Sequence, residues 1–434
     1  MTITEKYRYA FLFCFFLLAK MLNAQTNKIA GKYNIYTGNT HAHTSYTWSH
    51  GEQIEKNNCK GIAVFDKDST DDAIDTWKAG YVKIEACPAI IIIKSSQYPA
   101  PGLSLKAGWQ KYQGDPAVHY KVAKENSYDF YVTTDHSQEY IFNPPDSLNK
   151  AWISTAKSAE AATNKDFVAI RGYEHSENDG PNGQGHINVI NTATYLNALK
   201  PGIDLKYLYN WLKTVKPNGE GPVVASFNHP GPEQYNNWAY RDDSITNIIT
   251  MLEVINSNNK IHYEGFINAL DKGWKVSPVC GNDNHGLTGI ANHTSRTFVL
   301  AENKTKAAIL DAMKNRRTYA SLEKNIQCSY TVNDNIMGST IPSAKTYRFK
   351  ININDPDIND ASDKITKLDI ITNSGKIVKT YTIKGEYTVS WNVSLPDEGS
   401  TYYFLRVWNA GGGDAKNADA KKPVAWLAPV WINR

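Results

Sequence analysis

The sequence predicts an α/β domain built on a parallel sheet, followed by an all-β sandwich. Three observations predict it. Between Tyr33 and about Arg317, short apolar strand-like runs alternate with helix-like runs, the order that lays parallel strands side by side. Most of the 11 histidines stand at the ends of those runs and near acids, where a closed parallel barrel presents its carboxyl edge. After Leu322 the helix signals stop, and short runs of alternating polarity separated by turn residues take over.

With 434 residues, 41% of them hydrophobic and 12% aromatic, the chain is long enough for a packed core and two domains. Residues 1–24 read as a secretory leader: Lys6 and Arg8, an apolar block over 9–19, then Leu22-Asn23-Ala24 before Gln25. The expected mature protein therefore starts after Ala24 and is exported, periplasmic or secreted. The apolar block is too short to span a bilayer, and no later stretch reaches the ~20 apolar residues that a transmembrane helix needs. Cys14 lies inside the block rather than at the cleavage point, which argues against a lipid anchor.

The formal net charge is +4, and cleavage would remove three basic residues and one acid, bringing it nearer to zero. Neither a nucleic-acid footprint nor a membrane-binding patch follows from such a balance. Of the cysteines that remain, Cys59 and Cys87 could staple the region between them in an oxidising compartment, whereas Cys280 reads as a small buried residue.

Taken in order, the first strand, residues 33–37, leads into Gly38-Asn39-Thr40-His41-Ala42-His43-Thr44-Ser45. His41 and His43 are two residues apart, so on extended chain both imidazoles face one way and can grip a single ion. Residues 51–114, with Asp66, Asp68, Asp71 and Asp72, form an insertion that is either a lid or a decorating subdomain.

Asp115 is an expected N-cap with Pro116 at the first helical position. The strand 130–134 then runs into Asp135-His136. A helix over 148–162 precedes the strand 167–173, which runs into Glu174-His175. His186 opens 187–190, and a helix over 205–215 precedes 223–228, which runs into His229-Pro230. A helix over 261–270 precedes 276–281, which leads to Asp283-Asn284-His285, and a last helix spans 304–314.

Beyond residue 322 the expected strands are 326–332, 347–353, 368–372, 377–383, 387–393, 402–408 and 424–432. Asp355, Asp357, Asn359 and Asp363 lack the central glycine of a calcium loop, and Thr366 stands where a twelfth-position Glu belongs, so they read as a solvated turn. Trp391, Tyr402, Tyr403, Trp408, Trp426 and Trp431 could stack on sugars in a glycan-binding module, but their alternation along strands favours core packing.

Many imidazoles with few carboxylates suit zinc, manganese or iron better than an all-oxygen calcium or magnesium site. No Gly-x-Ser-x-Gly elbow accompanies them, so an activated water is the expected nucleophile rather than a side chain. Asp135 is a candidate catalytic residue, either orienting His136 or passing a proton to the leaving group, with orientation favoured. Arg171 and Arg296 are candidates to fork an anionic group, against ordinary pairing with a carboxylate. His119 and His262 fall in helix-like runs and read as surface or core residues, and His175 reads equally as cavity-facing or packed. Gly180, Gly183 and Gly185 do not open a helix as a phosphate loop would; they let the chain turn before His186.

Together Thr40-His41-Ala42-His43-Thr44, Thr134-Asp135-His136, Gly172-Tyr173-Glu174, Asn228-His229-Pro230-Gly231 and Asn282-Asp283-Asn284-His285-Gly286 resemble the successive motifs of the PHP (polymerase and histidinol phosphatase) metallohydrolases. Gly185-His186-Ile187-Asn188-Val189 and the exported, β-tailed layout are similar to the carbaryl-hydrolase-like CehA/McbA branch. The resemblance runs from about residue 33 to 320.

It implies a distorted (β/α)7 barrel over 25–322 holding two or three divalent transition metals, with 323–434 as the sandwich. One metal would sit on His41, His43, Glu174 and Asp283, and Glu174 would bridge to a second on His186 and His229. A third would take His136 and His285, and the family's further histidine falls on Ser49 here, with His50 next to it. The resemblance implies phosphoester hydrolysis of a small-molecule or glycan-linked substrate, with carbamate, ester or amide hydrolysis as the alternative.

Overall fold

The computed structural model describes residues 32–47, 106–142, 145–177, 183–198, 200, 202–412 and 423–434, together with the backbone of 81–84 and 91–94. By its internal contacts the chain divides into residues 1–34 and the compact unit Ile35–Arg434, which carries everything below. The leader, Cys59, Cys87, His50 and most of the 51–114 insertion lie outside the described residues.

In chain order the strands are β1 Asn34–Asn39, β2 Tyr81–Ile84, β3 Ile91–Lys94, β4 Phe130–Thr133, β5 Val168–Ser176, β6 His186–Ile190, β7 Val224–Asn228, β8 Ile249–Asn256, β9 Lys260–Ile261, β10 Ser277–Cys280, β11 Arg296–Ala301 and β12 Thr318–Ser321. They are followed by β13 Gln327–Val332, β14 Asn335–Ile336, β15 Thr340–Pro342, β16 Thr346–Asn354, β17 Ile365–Ile371, β18 Ile377–Glu386, β19 Thr388–Pro396, β20 Tyr402–Asn409, β21 Ala425–Leu427 and β22 Val430–Asn433.

A large mixed sheet runs β10-β8-β7-β6-β5-β4-β1-β11-β12 and continues through β21-β20-β17-β18. Its β1·β4, β4·β5, β7·β8 and β8·β10 pairs are parallel, as the alternation of elements predicts. β6 departs from that expectation by pairing antiparallel with both β5 and β7. The reason is local: only residues 177–185 separate β5 from β6, too short for a helical crossover, and strands joined that tightly run antiparallel. The β10 end curls round to β11, where the Thr297 hydroxyl donates to the Cys280 carbonyl at 2.7 Å. Side chains make that junction where other neighbours use a backbone ladder.

Helix starts follow their caps. Asp115 accepts the Val118 amide at Pro116–Glu125, Asn149 accepts the Trp152 amide at Lys150–Ala162, and Thr305 accepts the Ala308 amide at Lys306–Lys314. The helix expected over 205–215 stops at Leu212, and the one expected from 261 begins at Tyr263 because Lys260–Ile261 pairs with β8 instead.

Residues two apart on β4 and β5, Phe130 with Val132 and Val168 with Ile170, pack with Met251, Val279 and Val299 under the helix Lys306–Lys314. The alternate residues Tyr131 and Ala169 pack with Tyr120, Ala123 and Ala159. These strands are thus buried on both faces, and the apolar core leaves their carboxyl ends to polar side chains.

Beyond β12, β14-β13-β16-β19 form a separate antiparallel sheet. It meets the continuation of the large sheet where Tyr347 and Phe349 lie 5.4 and 5.5 Å, ring to ring, from Tyr403. β16 alternates exposed and buried residues as the sequence predicts. The single strand expected over 424–432 is instead β21 and β22, interrupted at Ala428-Pro429, with β21 on β12 and β22 on β15. Tyr402, Tyr403, Trp426 and Trp431 are buried and serve packing, whereas Trp391, stacked on Tyr381, and Trp408, covered by Lys367, are half-buried.

Candidate metal centre

The carboxyl edge of the large sheet gathers seven residues that can ligate a metal. His41 and His43 follow β1, His136 follows β4, Glu174 is near the end of β5, His229 follows β7, and Asp283 and His285 follow β10. His186 reaches the same edge from the opposite chain direction, because it opens an antiparallel strand. His229 and Asp283 adopt positive φ of 30° and 48°, costly for residues with side chains, so packing holds both in strained backbone.

Three groups of ligand atoms converge, each within 4.8 Å: His41, His43 and Glu174; Glu174, His186 and His229; and His43, His136 and His285. Glu174 belongs to two of them. Its Oε1 lies 3.4 Å from His41 Nε2, 3.2 Å from His186 Nδ1 and 3.6 Å from His229 Nε2, while Oε2 lies 3.1 Å from His136 Nδ1 and 3.5 Å from His43 Nε2. Asp283 Oδ1 sits 3.0 Å from His43 Nε2 and 3.4 Å from His41 Nε2. The third group includes His43, and the further histidine weighed for it, His50, lies outside the described residues.

Outer partners fix which ring nitrogen faces the centre. His41 Nδ1 meets the buried carboxylate of Glu253 at 2.8 Å, and Glu253 Oε2 also accepts the His229 backbone N–H and the Asn256 amide. His43 Nδ1 meets the Thr47 hydroxyl at 3.1 Å; that hydroxyl donates to Asp135 Oδ1 at 2.9 Å and accepts the His136 N–H at 3.0 Å. Both Nδ1 atoms therefore face outer partners, and both Nε2 atoms face inward, 3.0 Å apart. With both rings neutral and Nδ1 protonated, the two Nε2 atoms would present their lone pairs to one cation. His186 is oriented by a bond from Nε2 to the Glu177 carbonyl, which turns Nδ1 inward.

Burial pulls the His41 imidazole toward neutrality, but the carboxylates of Glu253, Asp283 and Glu174 outweigh it and hold the pKa well above the ordinary histidine value. Burial pushes Glu174 and Asp283 up. The imidazoles around them, His41 foremost, reverse that and hold both carboxyls well below the usual range. The centre is a cation-seeking mixture of imidazole and carboxylate, the donor set of transition metals.

Three sequence expectations are corrected here. Asp135 holds the loop after His43 rather than the His136 ring: its two oxygens accept the amides and hydroxyls of Thr44 and Thr47, it reaches the His43 imidazole through Thr47, and burial pushes its pKa up. Arg171 is not an anion fork. Its guanidinium donates to the Trp152 and Thr192 carbonyls and lies 3.6 Å over the Trp152 ring, where burial brings its pKa down to about 10. Arg296 likewise donates to the His293 and Ser295 carbonyls and covers the Tyr128 ring at 3.7 Å.

His119 and His262 are buried, bonded to Gln113 and the Pro230 carbonyl, and burial brings each pKa down to about 3. His175 is buried beside Glu177. Sequence reasoning missed Glu253, whose signal is a lone acid inside the apolar run Ile-Thr-Met-Leu-Glu-Val-Ile-Asn of β8. It also missed Asn228, which donates to Glu174 Oε1 at 2.8 Å.

A cleft of about 510 Å³ adjoins the centre, with Asp283 and His285 on its wall. No protein-family profile matches the chain, and no curated protein matches it. Among solved structures it is similar to a two-domain protein from Bacteroides vulgatus containing a predicted PHP-like metal-dependent phosphoesterase, at 15% identity over 94% of this chain and 98% of that one, with a TM-score of 0.43. An engineered protein superposes at 10% identity over 92% and 94%, with a TM-score of 0.19. Likenesses this distant carry no argument about chemistry, which rests on the geometry above.

Proposed function

We propose that this chain is a metal-dependent hydrolase of the PHP type, a phosphoesterase exported by its 1–24 leader, with a distorted barrel as its catalytic part and a β-sandwich behind it. The observation that carries the reading is the inward-facing pair of Nε2 atoms on His41 and His43 beside Glu174, each ring held by an outer partner at Nδ1. The residues fit divalent metals. His41, His43 and Asp283 with Glu174 would hold one, Glu174 with His186 and His229 a second, and His136 and His285 with His43 a third.

Such ions, zinc, manganese or iron by donor type, activate a water at neutral pH and offset charge on the phosphoryl oxygens. The chain's own residues hold and orient. Glu253, Thr47 and the Glu177 carbonyl lock imidazole tautomers, Asp135 holds Thr44 and Thr47 in place, and the Asn228 amide pins Glu174. Among the described residues no helix is long and apolar enough to cross a membrane.

The test is elemental analysis of the purified protein, followed by a screen of phosphomonoester, phosphodiester, carboxylester and carbamate substrates on the same sample. Two or three equivalents of transition metal with phosphoester turnover are expected. Turnover confined to carbamates or esters would move the chemistry to that alternative, and less than one equivalent after metal loading, with no turnover, would overturn the hydrolase.

A further inference from the structure

Resting on the phosphoesterase reading, we propose that the group esterified to phosphate is an uncharged polyhydroxylated alcohol, a sugar or polyol, bound in the cleft beside Asp283 and His285. The cleft is bounded on one side by the turn after β8, with Asn258, and on the other by the chain around the helix Leu287–Asn292, with Asn292 and Thr294. Asn258, Asn292 and Thr294 are all exposed. A carboxamide offers a donor and an acceptor side by side, which matches a pair of neighbouring hydroxyls.

The described wall is polar throughout. Among the described residues that line it there is no Lys or Arg, no Phe, Tyr or Trp, and no Leu, Ile or Val. A nucleobase takes a stacking face, a second phosphate takes a basic fork, and a naphthyl group takes an apolar wall. The remaining lining is amide, hydroxyl and imidazole, with Ser257 already donating to Asp283 Oδ2 at 3.0 Å. Arg171 and Arg296, the basic residues expected near the centre, each donate to backbone carbonyls and cover an aromatic ring, which leaves neutral hydrogen bonds as the selective contacts of the described wall. The size agrees: about 510 Å³ lies within the range of small-molecule sites. In the reaction, water adds to phosphorus, the P–O bond to the alcohol breaks, and the alcohol departs with a proton from that water.

The experiment uses the metal-loaded full chain and compares a hexose 1-phosphate and glycerol phosphate with AMP, ADP and 1-naphthyl phosphate. The proposal expects kcat/KM for the first two to exceed the other three by about tenfold or more, the value of one well-made polar contact. Asn292→Leu and Thr294→Val should each raise KM for the hexose phosphate by about tenfold relative to KM for 1-naphthyl phosphate, with kcat moving less. Equal turnover of all five, or preference for ADP or the naphthyl ester, overturns the substrate class and leaves the phosphoesterase standing. Bound metal with none of the five esters turned over overturns both.

Discussion

Gly281 lies against Glu253. A Cβ placed on Gly281 would fall 1.8 Å from Glu253 Oε1 and 2.8 Å from His41 Cβ. The glycine is therefore what lets the carboxylate approach the Nδ1 of His41 to 2.8 Å.

Gly281→Ala should keep the fold and loosen the centre. With Glu253 displaced, His41 loses the acceptor that fixes its tautomer, and metal affinity should fall about ten- to a hundredfold, the usual cost of losing such an outer contact. Titration with zinc or manganese followed by calorimetry reads this, and unchanged affinity would show that Glu253 does not orient His41.

Glu174→Gln removes the charge that two ligand groups share. Its carboxylate lies against five imidazoles, and no other described side chain joins the same two groups. Turnover should drop about a thousandfold or more, and elemental analysis should show at least one metal fewer. Full metal content with near-normal turnover would exclude a bridging role.

Chelation should cost stability as well as activity. The ligand atoms are buried or half-buried around one another, so a metal that binds only the folded chain stabilises it by mass action, about 2.7 kcal/mol at a hundredfold excess over Kd. Melts with and without chelator should differ and should converge on adding metal back. A melting temperature indifferent to both would mean that no metal is held there.

A separate acidic pair gives a pH signature remote from the centre. Burial, with nearby Asp355, pushes the Glu323 carboxyl up to about 7; burial, with Asp363, Asp357 and Asp360, pushes Asp355 up to about 6. Raised carboxyls bind more protons folded than unfolded, so their contribution is fully present below the unfolded values near 4 and is lost as pH rises through 6 and 7. Asp355 Oδ1 accepts the Asp357 amide and Oδ2 has no partner among the described residues, so Asp355→Asn keeps the bond and removes the charge. It should stabilise by about 1 kcal/mol above pH 8 and far less at pH 5, as thermal melts would show. An equal effect at both would remove Asp355 as the source.

The ligand candidates were legible because each closes or opens a strand, where a residue two or three positions past an apolar run must emerge at the sheet edge. His186 was legible for the same reason, although its strand direction was not: nine intervening residues reveal a hairpin only once they are weighed as too few for a helical crossover. Glu253 was hidden because it lies inside an apolar run, where a carboxylate is tolerated only by partners distant in sequence, His41 and the His229 amide. Arg171 and Arg296 misled because a guanidinium beside a motif looks the same in sequence whether it serves an anion or a carbonyl. The break between β21 and β22 was likewise masked by one continuous apolar run.

The pairing of β12 with β21 joins residues 318–321 to residues 425–427, about a hundred positions later. During synthesis the flank of the large sheet beside β12 therefore waits, unladdered, until the chain has been made past Leu427. A nascent chain that has completed every candidate metal ligand still carries an open strand edge able to pair with a neighbour, so chaperone demand and aggregation risk should peak over this final interval.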